Sequence, residues 1–435
     1  MRFLLQFFIV ALTSFYIFPI EFRFFPSANT KMIMAVLGIV TFVVNFILKR
    51  ESLLPKKIIV VSLFALLVSL VGIISVLLNG TNDFSYASYF ISFLVWLFAA
   101  YFVISCIRGV HGRVSVRIVC DYLIVVAIAQ CVLAVLIDQI PTFKNAVNSS
   151  VVGFASMYSA GEGLDKAGRL YGIGAALDVA GTRFCAILCM IGIMIYELYR
   201  SNNKKWQMML YVLLFVVLLV IGSMISRTTG IGLVFVMMYF VLAPMQSNTS
   251  YGFWRMIIFW LLFFVTVVVI LYNESTFFNE NLHFAFEGLF NYLKTGEWSL
   301  NTTDILKEMY VYPESLRTWI IGDGYFDEPY VFDPNYIGET RNHGLFYMGT
   351  DVGYLRFIFY FGLCGLMAFV VYFIVNMLYC ISDFPKNKWL FIALLSMNFV
   401  IWFKVATDIF CLFALFLCIN KDENEEYENS LKQIQ

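Results

Sequence analysis

Charge is what this chain has least of. Aspartate, glutamate, lysine and arginine together make up 13% of its 435 residues, about half of the roughly 25% usual in soluble domains. With 61% hydrophobic residues, that deficit excludes an ordinary soluble globule and implies an integral membrane protein. Net charge is zero and no basic tract runs beyond a few residues, so binding to nucleic acid has no electrostatic support. Histidine occurs three times only. The chain lacks an H-E-x-x-H pair, a Walker P-loop and Cys/His metal spacing, so no metal or ATP-driven chemistry is expected. "GSMIS" does not fit the nucleophile-elbow pattern. None of the nine cysteines falls in the long polar segments, and no disulfide or thiolate metal site is expected. A small-residue cleavage site is also missing after "MRFLLQFFIVALTSFYIFPI", which therefore reads as a retained first helix.

What the chain does have is apolar runs of the length a bilayer requires, about 20 residues. They sit near 3–20, 31–48, 58–78, 86–106, 118–138, 178–199, 207–225, 229–245, 256–272, 353–379, 389–403 and 405–419. The fold class expected is an all-α integral membrane protein of about 12 transmembrane helices, the last two a short hairpin. Four short loops are basic: "KRESLLPKK", "RGVHGRVSVR", "RSNNKKW" and "PKNK". Alternating spans put all four on one side, and excess lysine and arginine marks that side as cytoplasmic. Both termini are then inside, with 420–435 an acidic cytoplasmic tail expected to be disordered.

Two longer segments fall outside. Residues 1–272 hold helices one to nine, interrupted by a moderate loop at 139–177. A large loop, 273–352, precedes helices ten to twelve at 353–419. Within it "ENLHFAFEGLFNYLK" spaces Leu282, Phe286, Leu289, Phe290 and Leu293 along one face, the pattern of an amphipathic helix on a membrane surface. "IIGDGYF" sets two glycines around an aspartate and predicts a turn. No internal repeat is evident, which counts against a transporter of symmetric halves.

The scarce charges are conspicuous at the outer ends of spans. Arg169 and Arg183 precede the sixth span, Arg227 sits in the hairpin "SMISRTTGIG", and Arg341 lies ahead of the tenth. Arg356 lies just inside that tenth span, where insertion costs about 2.5–3.5 kcal/mol. Any one could snorkel to headgroups. Several on one face suit an anionic ligand with a lipid tail, because a guanidinium is a planar fork of donors matched to phosphate oxygens. Gly172, Gly174 and Gly181 near Arg169 permit close backbone approach, either to a ligand or to a neighbouring helix. Asp351 either caps the tenth helix or acts as a general base. His343 is either a surface residue or a second candidate base. Asp408, one turn from Lys404, is expected in an ion pair.

In "SMISRTTGIG", "IIGDGYF" and above all "GTDVGYLRFIFYFGLCGL", the chain resembles bacterial O-antigen polymerases of the Wzy type. More broadly it resembles the superfamily that includes the O-antigen ligases, with a GT-C-like architecture. The resemblance covers nearly the whole length in helix number and loop placement. It implies a glycosyltransferase at the periplasmic face of the bacterial inner membrane. The growing glycan would leave undecaprenyl diphosphate for the sugar end of a lipid-linked repeat unit. Implied partners are undecaprenyl-diphosphate-linked oligosaccharides, membrane lipids and a chain-length regulator protein, with no nucleic acid and no cofactor. Arg169, Arg183, Arg227, Arg341 and Arg356 would bind the diphosphate, and Asp351 or His343 would act as base. The ligases carry a histidine where Asp351 stands, which favours a polymerase. The family pattern of arginine, ten residues, glycine is stretched here to eleven, between Arg169 and Gly181 and between Arg341 and Gly353. The competing readings are a lipid-linked oligosaccharide flippase or other transporter, which needs no such outer loop, and a ligase.

Overall fold

The computed structural model describes residues 2–49, 55–152, 169–201, 205–245, 250–296, 306–329, 333–338 and 346–433. In chain order its helices are α1 (Arg2–Ile17), α2 (Thr30–Lys49), α3 (Lys56–Asn79), α4 (Tyr89–His111), α5 (Val116–Gln139) and α6 (Pro141–Ser150). After them come α7 (Leu177–Ser201), α8 (Lys205–Ile225), α9 (Gly230–Met245), α10 (Ser250–Glu274), α11 (Thr276–Ala285) and α12 (Glu287–Thr295). The last are α13 (Leu316–Ile321), α14 (Gly353–Asp383), α15 (Lys388–Ile401), α16 (Phe410–Leu417) and α17 (Lys421–Gln433). Short strands β1 (Glu21–Phe22), β2 (Phe25–Asn29) and β3 (Val151–Val152) form a small sheet in the order β2-β1-β3, which the apolar pattern gave no sign of.

Among the described residues, eight helices are long and apolar enough to cross a membrane: α2, α3, α4, α5, α7, α8, α10 and α14. Helices also occupy the other four apolar runs, but α1, α9, α15 and α16 are shorter, from 16 residues down to 8. The acidic tail is not disordered as expected. It forms α17, whose start is tied down by Arg108 on Glu423 at 2.8 Å and by the Val116 N–H on buried Asn424 at 3.0 Å.

The chain folds as two units interleaved in sequence. The first comprises 1–9, 28–116 and 301–427, the second 10–27, 117–300 and 428–435. The segment 273–352 is thus not a body of its own. Its first part, through Leu300, belongs with the second unit and the remainder with the first.

In the first unit α2 lies against α4. Gly38 makes this possible, since a Cβ there would fall 1.9 Å from the Phe98 carbonyl oxygen. The outer face of α2 exposes Val36, Ile39, Val40, Val43 and Val44, as a lipid-facing helix should. α14 packs on α3 but is broken at Phe361 and Gly362, the latter at φ +65°. A break inside a span strands backbone carbonyls that no water can reach. "IIGDGYF" repairs it: the amides of Asp323 and Gly324 donate to the carbonyls of Phe359 (2.6 Å) and Tyr360 (3.1 Å). Ser75 of α3 adds a hydroxyl to the Tyr360 carbonyl at 2.6 Å, and Asn79 holds the Gly322 carbonyl at 3.0 Å. The predicted turn is therefore a plug for a helix break.

In the second unit α7 is the central helix, with 94% of its apolar window buried, whereas none of the window of α10 is. α8 and α9 flank α7, and α11 rests on α8.

Candidate functional site

The arginines singled out in the sequence separate into two constellations, one in each unit. Arg341 and His343 lie outside the described residues.

The first constellation is built on the turn Arg227–Thr229 that joins α8 to α9. The α8 terminus leaves carbonyls to satisfy. Ser226 N–H and the Thr229 hydroxyl both donate to the Gly222 carbonyl, at 2.8 and 3.0 Å. The Thr228 hydroxyl reaches Asp178 at the start of α7, at 2.6 Å. Gly181 one turn on has no side chain because a Cβ would lie 2.4 Å from Ser226 Oγ. Gly172 and Gly174 likewise face protein, Gln130 and Phe18 respectively. Of the two roles open to these glycines, close packing of the chain on itself is the one the structure shows.

This fixed turn presents Arg227 to the amphipathic segment. The guanidinium lies 4.2 Å from the Phe284 ring centroid, its Nε donates to the Phe284 carbonyl at 2.8 Å, and Nη2 pairs with Glu287 at 2.7 Å. Arg169 stands over the same ring at 5.1 Å, its buried Nε without a hydrogen-bond partner among the described residues. Arg183 on α7 lies over Phe18 at 5.6 Å and is buried. The segment expected to be one surface helix is two, α11 and α12, broken at Phe286. The break places Phe284 and Glu287 where they hold Arg227. Neither was singled out in the sequence; their signal was only position, within the amphipathic stretch of the large loop. Chemically, two cations over one ring beside one carboxylate are an arrangement suited to an anion.

The second constellation surrounds Arg356 in the first turn of α14. Its guanidinium lies 3.6 Å from the Phe326 ring centroid and 4.2 Å from that of Phe346. It pairs with Asp327 at 2.5 Å and stands 3.8 Å from Asp351. The side chain is only 6% exposed. Its Nη2 donates to Asp327 and to the Phe326 carbonyl (3.3 Å), while its buried Nε has no hydrogen-bond partner among the described residues. The N-cap position of α14 is Val352, the residue after Asp351, and its side chain makes no capping hydrogen bond. The loop below is ordered by Asp83, which accepts from the amides of Phe326 (2.6 Å) and Asp327 (3.3 Å). Burial raises the Asp327 carboxyl above the usual range; the Arg356 charge opposes this and Asp83 adds to it. Asp327 is nonetheless 40% exposed at its side chain, and a perturbed acid within reach of solvent is a functional candidate. Sequence reading passed over both Asp83 and Asp327, because nothing local distinguishes them from loop acids.

Asp408 accepts from the Tyr89 hydroxyl at 2.8 Å and from the Phe410 amide at 2.6 Å, joining α4 to the start of α16. Among the described residues no group of three or more His, Cys, Asp or Glu could hold a metal ion. No family model, curated protein or solved structure matches this chain. The class the fold itself defines is a helical protein with, among the described residues, eight helices long and apolar enough to span a membrane.

Proposed function

We propose that this protein is a polysaccharide polymerase of the O-antigen polymerase type, a glycosyltransferase of twelve spans in the bacterial inner membrane with both termini in the cytoplasm. It transfers a growing glycan from undecaprenyl diphosphate to the sugar end of a lipid-linked repeat unit at the periplasmic face. The observation that supports this reading is the gathering of Arg169 and Arg227 on the Phe284 ring. A diphosphate leaving group needs cations placed where its charge develops. In this reading Arg169, Arg183 and Arg227 of the second unit supply them. Asp351 or His343 takes the proton of the acceptor hydroxyl, whose oxygen bonds to the anomeric carbon as the carbon–oxygen bond to diphosphate breaks. Arg356 and Asp327 keep Asp351 placed.

Deleting the gene tests the proposal against its rivals. A polymerase mutant displays single repeat units on its lipopolysaccharide core, a ligase mutant leaves glycan on the lipid carrier, and a flippase mutant displays none. In the same assay Arg227→Ala abolishes long chains and leaves single repeats. Arg227→Lys, which keeps the charge and loses the bidentate fork, is impaired as well. Normal chain lengths in a well-expressed Arg227→Ala protein would falsify the diphosphate clamp.

A further inference from the structure

One feature of the first unit that the proposed function does not use is a cavity of about 700 Å³ at the end where α2, α4 and α14 finish and α3 begins. That volume lies within the range of small-molecule sites, about 300–1,000 Å³. One wall is apolar, formed by Phe42 and Phe46 of α2, Phe98 of α4 and Leu417 of α16. The other is charged, with Lys57, Arg108 and Lys421 against Asp383 and Glu423. Among the described residues three cations and two carboxylates line it, one net positive charge.

The donors there are not exhausted. Lys57 spends its ammonium on Asp383 at 2.6 Å and the Ile419 carbonyl at 3.5 Å, two of three donors. Glu423 takes the Nε hydrogen of Arg108, one of five N–H groups on a guanidinium. Lys421 is half exposed and, among the described residues, pairs with Glu425 at 4.0 Å.

We infer that this cavity binds the headgroup and upper acyl chain of an anionic glycerophospholipid of the phosphatidylglycerol kind. Its single phosphodiester charge neutralises the net charge of the lining, its phosphate oxygens accept from Arg108, Lys57 and Lys421, and its chain lies along the phenylalanine wall. A zwitterionic lipid would leave the surplus cation unmatched. A free phosphate would leave the apolar wall empty. This inference is independent of the transferase reading.

The test is thermal unfolding of the delipidated full-length protein in nonionic detergent. The additions are dioleoylphosphatidylglycerol, dioleoylphosphatidylcholine or glycerol 3-phosphate. Phosphatidylglycerol raises Tm by about 3 °C or more and the other two do not. Lys421→Glu, at an exposed position, turns the lining from one net positive to one net negative charge and removes the shift. Ser382→Lys, at another exposed lining position, adds a cation and enlarges it. Equal shifts with phosphatidylcholine or glycerol 3-phosphate, or shifts that ignore both substitutions, overturn the inference.

Discussion

Asp323, between the two glycines of "IIGDGYF", shows what burial does to a single acid. Burial raises its carboxyl pKa, while hydrogen bonds from Thr318 (2.7 Å) and Tyr347 (3.2 Å) pull the other way without cancelling it. A raised pKa means the folded protein binds the proton more tightly than the unfolded chain does. Stability from this group is complete below the unfolded value of about 4 and is lost as pH rises through the folded value. Asp323→Asn keeps an acceptor for both hydroxyls and should flatten that acid-side slope, as urea titrations across pH 4–7 would show. Glu287 makes the complementary case. Removing its charge with Glu287→Gln leaves Arg227 in place over Phe284 but ends competition with an incoming anion. In an assay with lipid-linked substrate, KM should fall severalfold with little change in kcat. An unchanged KM would mean that Glu287 is only a brace.

At the scale of elements, the broken helix α14 and the turn that plugs it are the most demanding feature. A Cβ on Gly362 would fall 2.1 Å from the Ile320 carbonyl oxygen, and φ of +65° disfavours any side chain there. Gly362→Ala should therefore cost at least about 2–3 kcal/mol or prevent insertion of the folded chain. Gly109 lies inside α4 with nothing within 4 Å of where a Cβ would be, so Gly109→Ala should be neutral or stabilising by about 0.5–1 kcal/mol. Comparing their melting temperatures separates a glycine the packing requires from one it does not. The turn itself was legible in the sequence because glycine flanking aspartate is a local signal. Its partner was not, since the break at Phe361 falls in an apolar run that reads as continuous helix. The same limit hid the division of the amphipathic segment into α11 and α12.

On the scale of the whole molecule, the basic loops and apolar runs predict sidedness that labelling can measure. On the proposed topology, single cysteines introduced into a cysteine-free variant at Lys56 and Lys386 should react with a membrane-impermeant thiol reagent only after the membrane is opened. One at the exposed Tyr312 should react in intact spheroplasts. Reaction of all three from one side would overturn the proposed twelve-span arrangement. The sequence alone indicated a helical chain able to span a membrane and the positions of the eight helices long and apolar enough to do so. A bilayer core requires every backbone group to be paired within its own segment, so a run of about 20 apolar residues is a local and nearly sufficient statement. Only the tertiary structure decided which charges meet. Arg227 is held by a carbonyl 57 positions away and Arg356 by a carboxylate 29 positions away. Charges and rings carry no periodicity that records a partner so far along the chain; packing alone brings them together.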